Sequence, residues 1–492
     1  MSTAEETMKR IDERVTLLND ARENTGARYV LYWMQMFKRA THNHALNFAA
    51  RAANERGLPL IVYEGLKYYY PWASDRLHTF ILEGVEEKRE EFERRGVRYI
   101  FYLQRDTSDP KQTVARLAQD AALVVTDDFP CFIIPGHNRR LVAQVGVPVY
   151  AVDSNGIIPL SAFDKEEFAA RTIRPKIKKL LPRYEGDTVR GVSLKRRAPR
   201  LKVDCPETKV SASNIAALVA ECDIDHGVPP SPVYHGGTRA GRARLRHFVR
   251  NILPRYDESR NDPSTDGVSR LSAYLHFGFL SAHEIAAAVR EACVPQAAKD
   301  AYLEELIVRR ELSYNFTRFN PAYASLDALP KWARLTMREH DGDPRPAVLE
   351  PERIEGAETY DELWDATQRE LLRTGEIHNY ARMLWGKRVI EWRETYEESF
   401  RLLEHLNNKY ALDGRNPNSY AGILWCFGKH DRAWGPEREV FGKLRFMSSQ
   451  SMARKFEARA YVEWTKSFPP LAAYEGKVAA RAAHTAEALT RV

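Results

Sequence analysis

Long apolar runs are missing from this 492-residue chain. No stretch approaches the ~18–20 apolar residues of a membrane span, so no transmembrane helix and no membrane partner are expected. Cysteine is scarce and scattered. The five present (Cys131, Cys205, Cys222, Cys293, Cys426) form no CxxC pair. That spacing excludes a disulfide framework and any evident zinc or iron–sulfur motif, predicts no metal site, and suits a reducing compartment. The opening MSTAEETMKRIDER is charged and lacks an apolar segment, so no signal peptide is expected and a cytoplasmic location is. Strong charge bias is absent too: the net charge is +7, which permits a basic face for a polyanion without demanding one. There is no internal repeat and no low-complexity tract. No GxGxxG follows the first strand-like run, which argues against a dinucleotide bound in the usual crevice of an α/β sheet.

What is present describes a globular protein with more than one core. Hydrophobic residues make up 44% and charged residues 29%, and the length exceeds what one ordinary core serves. In the first third, YVLYWM, LIVYEG, VRYIFYL, ALVVTDD and VPVYAVD read as strands rich in β-branched and aromatic residues. Between them His44–Arg56, Asp75–Arg95, Pro110–Asp120 and Asn138–Val145 read as helices. Strand and helix in alternation predict an α/β domain over residues 1–153 with a doubly wound parallel sheet, Rossmann-like in its winding. Residues 154–237 read as an irregular interdomain linker, with prolines at 175, 182, 199, 206, 229, 230 and 232 and the basic run KRRAPRLK. From 238 to 470 the pattern is helical and predicts an all-α domain. Residues 471–492 read as a helix-prone tail.

The helical half centres on Glu376–Trp434, which holds four of the nine tryptophans. His378, Arg382, Trp385, Val389 and Trp392 recur at steps of 4, 3, 4 and 3, one stripe of a helix that puts Trp385 and Trp392 side by side along one face. Large aromatics at helical spacing are ordinarily core. Upstream, Ser264, Thr265, Ser269 and Ser272 cluster before a helix, where hydroxyls and amides suit phosphate oxygens, although such turns usually only cap helices.

Taken together, RLSAYLHFG, EELIVRREL, DGRNPNSYAGILW and HDRAWG, in this order, resemble the photolyase/cryptochrome family, and within it the class II cyclobutane pyrimidine dimer DNA photolyases. LVVTD, VPVYAVD and RTIRPKI extend the resemblance over nearly the whole chain. It implies an α/β antenna domain followed by an all-helical FAD-binding domain. The implied activity is a carbon–carbon lyase reaction, in which photoexcited reduced FAD passes an electron to a dimer flipped out of DNA. The implied partner is UV-damaged DNA containing pyrimidine dimers, and a monomer is expected. An antenna chromophore, deazaflavin or folate, is a second implied cofactor.

The resemblance also assigns roles. Tyr256, Ser269, Leu271 and Ser272 match positions around the FAD phosphates, and Arg309 matches the arginine that neutralises the diphosphate, a task suited to a permanently charged fork of donors. Arg382 and Asp413 match an ion pair against the flavin ring, and Asn407 matches the asparagine that meets flavin N5. Glu305 matches the carboxyl that hydrogen-bonds the dimer, expected in its neutral form. Without the resemblance, Glu305 in so charged a run reads as half of a surface ion pair. Met383 and Trp425 match walls of the lesion pocket. Asn261 and Arg260 match polar lesion contacts, and Trp434 and Arg445 match residues that fill the gap left in the duplex. Trp385, Trp364 and Trp392 match the three indoles of the class II photoreduction chain. Ile423 stands where class I members place their flavin-proximal tryptophan.

Some positions depart from the family. Asn379 replaces a usual glycine, Asn408 a usual aspartate, and the first strand leads into QMFKRATHNHAL rather than the usual arginine- and tryptophan-bearing segment. The last change weakens the expectation of an antenna pigment. A cryptochrome-like photoreceptor, keeping FAD and the tryptophan chain without repair, is the alternative reading, since one scaffold hosts different functions.

Overall fold

The computed structural model describes residues 13–186 and 191–468; the expected tail 471–492 and the first twelve residues lie outside the described residues. The predicted runs form strands β2 (Tyr29–Trp33), β3 (Leu60–Lys67), β4 (Arg98–Gln104), β5 (Ala121–Asp127) and β6 (Val149–Val152), after a short β1 (Val15–Leu17). The sheet order is β1-β6-β5-β2-β3-β4. Strands β2 to β6 pair in parallel, while β1 runs antiparallel to β6 through Val15↔Val152 and Leu17↔Tyr150. The sheet is therefore mixed rather than wholly parallel. The edge strand VTL is half exposed and too short to stand out by periodicity.

All five β2 and all seven β5 residues are buried, as strands covered on both faces must be. Asp127 ends β5 and explains the LVVTD motif. Its carboxylate accepts from the amides of Gln35, Met36 and Phe37 at 2.9, 2.7 and 3.1 Å and from the Tyr32 hydroxyl at 2.7 Å, which fixes the turn leaving β2. Burial pushes this carboxyl upward in pKa while those donors pull it back.

The single helix expected over Asp75–Arg95 is two, Asp75–Leu82 and Val85–Arg94. The break falls at Gly84, where a Cβ would lie 2.5 Å from the Phe279 ring. The stretch read as an irregular linker also differs, because residues Ala170–Tyr184 form a helix with Pro175 and Pro182 inside it. Ile173, Ile177 and Tyr184 bury one face of it, so packing overrides proline's weak helix propensity. Residues 191–214 run without regular structure over the β4 edge, with Thr208 donating to the Phe101 carbonyl at 2.7 Å.

The second half is helical, widening to π-helical turns at Phe248–Ile252 and Glu304–Arg309. Two buried residues tie it to the sheet. Arg76 donates to the carbonyls of Pro229, Leu371, Leu372 and Tyr410 at 2.6–3.2 Å. Leu371 and Leu372 lie in the last turn of the Glu362–Thr374 helix, where the Leu371 carbonyl also accepts from the Gly375 amide at 3.0 Å, and Tyr410 ends the Tyr396–Tyr410 helix. Glu311, in the Arg310–Phe319 helix, accepts from the amides of Ile157 and Ile158 at 2.9 and 3.2 Å. A Cβ on Gly156 would come within 2.9 Å of this carboxylate, so the close approach requires glycine.

Candidate functional site

The Asn379–Trp392 helix is the axis of the site. His378 caps it, its Nδ1 accepting from the Tyr380 amide at 3.2 Å. The expected stripe is wider than a stripe: Ala381, Leu384, Trp385, Gly386, Lys387, Val389, Ile390, Glu391 and Trp392 are all buried, so the helix is enclosed on nearly every side. Such a helix is held by partners on all faces. Gly386 is one reason it fits, since a Cβ there would meet Cys426 Sγ at 2.4 Å.

Trp385 and Trp392 do not make the direct ring contact that their spacing predicts; Trp364 stands between them. Its indole N–H donates to the Trp385 carbonyl at 2.9 Å, and its ring meets the Trp392 ring at a centroid distance of 4.9 Å and 77°. Asp361 caps the helix carrying Trp364, accepting from the Trp364 amide at 3.1 Å. Trp385 turns its own N–H to Gln368 Oε1 at 2.8 Å. Burial of all three indoles is complete to within 2%.

One turn before Trp385, Arg382 pairs with Asp413 at 3.1 Å and donates to Asn407 Oδ1 at 3.3 Å. Asn407 in turn donates to Asn408 Oδ1 at 3.3 Å. The DGRNPNSY motif folds this corner. Arg415, at φ +61°, donates its amide to Asn408 Oδ1 at 2.8 Å, and its guanidinium covers the carbonyls of Asn408, Ala411 and Leu412 that end the Tyr396–Tyr410 helix. Asn416 then caps the Pro417–Cys426 helix, with proline at its first position. Burial lowers the Arg415 guanidinium to about 10. Neither Arg415 nor Gln368 stood out in the sequence.

The segment expected at the FAD phosphates is held from behind by Arg244, which donates to the carbonyls of Val268 and Ser269 at 2.9 and 2.8 Å and pairs with Asp266 at 2.9 Å. Arg270, at φ +56°, turns away from Ser269 and Leu271 to pair with Glu370 at 2.9 Å. Leu271 is buried and Ser269 and Ser272 are half-buried. Tyr256 stacks edge-on against Tyr302 at 5.3 Å. Arg309 does not make contact with this group. Its guanidinium lies 5.5 Å from the Trp425 ring and 3.7 Å from Glu304, on the side expected to face the lesion.

Glu305 is not a free carboxyl: it accepts from Arg260 at 3.0 Å. The pair joins two residues that the family pattern sets on the lesion side. Met383 and Trp425 are half-buried and Asn261 is exposed. Trp434 lies between the guanidinium groups of Arg432 and Arg445, 4.3 and 5.1 Å from its ring, and donates to Asp431 at 3.2 Å. This gives Asp431 and Arg432 a physical place: they orient Trp434.

The donor set fits a flavin dinucleotide. Asn408 Nδ2 and His378 Nε2 are buried polar atoms without a hydrogen-bond partner, and both belong to residues adjoining the Arg382–Asn407 corner or its helix. Unpaired buried polar groups are costly, so a polar ligand beside them restores the balance. Burial drives the His378 imidazole down to about 3, which leaves it neutral. At the carboxyl ends of β2 and β5, where the strand order reverses, Trp33 stacks on His137 at 5.9 Å and Gln35 bonds Thr126, His137 and Asn138. Among the described residues no helix is long and apolar enough to cross a membrane, and no three His, Cys, Asp or Glu are grouped to hold a metal ion.

Similarity to known proteins agrees with this geometry. The family model for DNA photolyase matches residues 30–198. A deoxyribodipyrimidine photo-lyase of Methanothermobacter thermautotrophicus is 38% identical over 452 residues, covering 92% of this chain and 97% of that protein. Two solved structures share the fold at low identity. A Synechocystis cryptochrome aligns with a TM-score of 0.67 at 16% identity over 90% of each chain. A Sulfolobus tokodaii photolyase, solved with two FAD molecules, aligns at 0.64 and 18% identity over 91% of this chain and 93% of that one. With 38% identity to the Methanothermobacter photo-lyase over 97% of that protein, the chain belongs to the DNA photolyase family.

Proposed function

We propose that the protein is a deoxyribodipyrimidine photo-lyase of the class II type, repairing cyclobutane pyrimidine dimers in DNA under blue or near-UV light. One observation carries the reading. Arg382, which holds Asp413 and Asn407, and Trp385, the first indole of a buried aromatic path, sit within one turn of each other on a single helix. A pocket for a redox-active ring and a route for its electrons are thereby built together.

FAD, when bound, supplies the light absorption and one-electron chemistry. The residues supply position and charge. Arg382 and Asp413 present a fixed ion pair to the ring, and Asn407 offers an amide able to donate or accept as the ring's protonation changes. Tyr256, Ser269, Leu271 and Ser272 hold the phosphate end. Arg309, beside Trp425, serves the lesion side or the diphosphate by a swing of its side chain. Trp385, Trp364 and Trp392 carry electrons inward from the surface. Met383 and Trp425 wall the flipped dimer, with Asn261 at its polar edge. Glu305, the partner of Arg260 at 3.0 Å, turns its carboxyl to hydrogen-bond the dimer. Trp434, braced by two arginines, enters the space vacated in the duplex, and Arg445 reaches the phosphate backbone.

The test is direct. Purified, reduced protein is mixed with an oligonucleotide carrying one cyclobutane dimer, and dimer loss is followed in light and darkness, with a (6-4) lesion alongside. Light-dependent loss of the cyclobutane dimer alone is expected. Absence of turnover in the presence of bound flavin would sink the repair reading and favour a photoreceptor.

A further inference from the structure

The buried aromatic path does not stop at Trp392. The indole N–H of Trp392 donates to the hydroxyl of Tyr360 at 2.8 Å, and the two rings meet edge-on with centroids 5.8 Å apart at 73°. Trp392 is fully buried, whereas Tyr360 is 58% exposed. Tyr360 therefore joins the inner indole directly to solvent.

Exposed though it is, Tyr360 is held. Its neighbour Asp361 caps the helix of Trp364, takes a hydrogen bond from Arg388 Nε at 3.0 Å and donates its amide to Thr359 Oγ1 at 3.1 Å. The amide and hydroxyl of Thr359 both bond Asp365. Arg388 also stacks over Trp392 at 4.9 Å and donates to the Tyr360 hydroxyl at 3.3 Å. The phenol oxygen thus accepts two hydrogen bonds, from Trp392 and from Arg388. Both lone pairs are engaged, and its own proton is left to point into water.

We propose that Tyr360 is the surface terminus of the photoreduction path: it gives one electron to oxidised Trp392 and releases its phenolic proton to water. This rests on the tryptophan path proposed above. The oxidant is the photoexcited oxidised flavin, which takes one electron for each hole that moves outward through Trp385, Trp364 and Trp392. Tyr360 loses one electron and one proton and becomes a neutral radical, and an external thiol donor returns the electron and proton. The geometry favours this direction. An oxidised Trp392 cannot shed its N–H proton to a phenol already accepting from Arg388, so the hole leaves as an electron transfer from Tyr360. Proton loss to bulk water then makes the return step slow, which gives the reduced cofactor time to persist.

The experiment is flash photolysis of the flavin-loaded protein in its oxidised state, comparing wild type, Tyr360→Phe and Trp385→Phe in H2O and D2O. Wild type is expected to show the tryptophan cation decaying into the narrow near-UV absorption of a neutral tyrosyl radical, with a solvent isotope effect on that decay. In Tyr360→Phe the tyrosyl signal and the isotope effect vanish and charge recombination accelerates. Thiol-dependent photoreduction falls several-fold, while repair by chemically reduced protein is unchanged. A Tyr360→Phe transient identical to wild type, with Trp385→Phe inactive in photoreduction, overturns the role of Tyr360 and leaves the tryptophan path standing. Undiminished photoreduction in Trp385→Phe overturns the path itself, and Tyr360 with it.

Discussion

Trp364 gives its indole N–H to the carbonyl of Trp385 at 2.9 Å, so the two side chains reach each other through backbone rather than ring on ring. The middle indole is locked at one edge by this bond and at its face by Trp392, 4.9 Å away. Trp364→Phe keeps an aromatic core residue but removes the indole hydrogen bond to the Trp385 carbonyl and leaves a small cavity behind. A loss of about 1–3 kcal/mol is expected from these two effects together. Photoreduction should collapse while dark-reduced protein still repairs. Thermal melts and illumination of the oxidised flavoprotein check both halves.

Arg382→Ala strips Asp413 and Asn407 of their shared partner. Flavin content after purification, read as the ratio of flavin to protein absorbance, should fall sharply. Arg382→Lys should restore it only in part, because an ammonium cannot span both acceptors as a guanidinium fork does. Equal flavin content in all three proteins would remove Arg382 from the binding shell.

Glu305→Gln separates charge from hydrogen bonding. A neutral amide keeps a donor for the dimer but gives up the ion pair with Arg260 at 3.0 Å. Repair per absorbed photon should fall less in Glu305→Gln than in Glu305→Ala. The reverse order would mean that Glu305 serves only to position Arg260.

Burial pushes the Glu311 carboxyl up to about 7, against 4.5 for an unperturbed group. The folded state therefore holds this proton after the unfolded state has released it. Stability is fully present below the unfolded value and is lost as pH rises from about 4.5 to 7, by on the order of 3 kcal/mol. Glu311→Gln retains the oxygen that accepts from Ile157 and Ile158 and cannot ionise. Its melting temperature should vary less between pH 5 and 8 than that of wild type, and the two curves should separate most at the alkaline end.

Arg445→Ala should weaken binding to dimer-containing duplex at every sequence and reduce the salt dependence of log Kd by about one phosphate contact. Trp434→Ala removes the ring between Arg432 and Arg445 and should reduce discrimination between damaged and intact duplex more than affinity for either. Titrations at two salt concentrations distinguish the two.

Where the sequence reading succeeded, the signal was local. Strands β2 to β6 are runs of β-branched and aromatic residues whose burial follows from their composition, and the helical half carries its period openly. Features set by distant partners were not legible. Gly84 breaks a helix because Phe279, nearly two hundred positions later, occupies the space. Pro175 and Pro182 lie within a helix because Ile173, Ile177 and Tyr184 bury its face. Helical spacing set Trp385 and Trp392 side by side, yet only the packing of a second helix put Trp364 between them. Tyr360 lies four residues before Trp364, where it reads as a residue next to a helix cap; its contact with Trp392 depends on two helices meeting. The ion pair of Glu305 was the reading favoured by composition alone, and Arg260 supplies its other half.

Arg76 gives the N-terminal half a task independent of any pigment. Its guanidinium closes the ends of the helices that bear Trp364 and Asn407, bonding the carbonyls of Leu371, Leu372 and Tyr410 as well as Pro229. Without the α/β half the carbonyls of Leu372 and Tyr410 would lose this donor, and the two helices would lose their common stop. The sheet domain thus acts as a splint for the helices that carry Trp364 and Asn407. A lineage that abandoned light harvesting would still have to keep it.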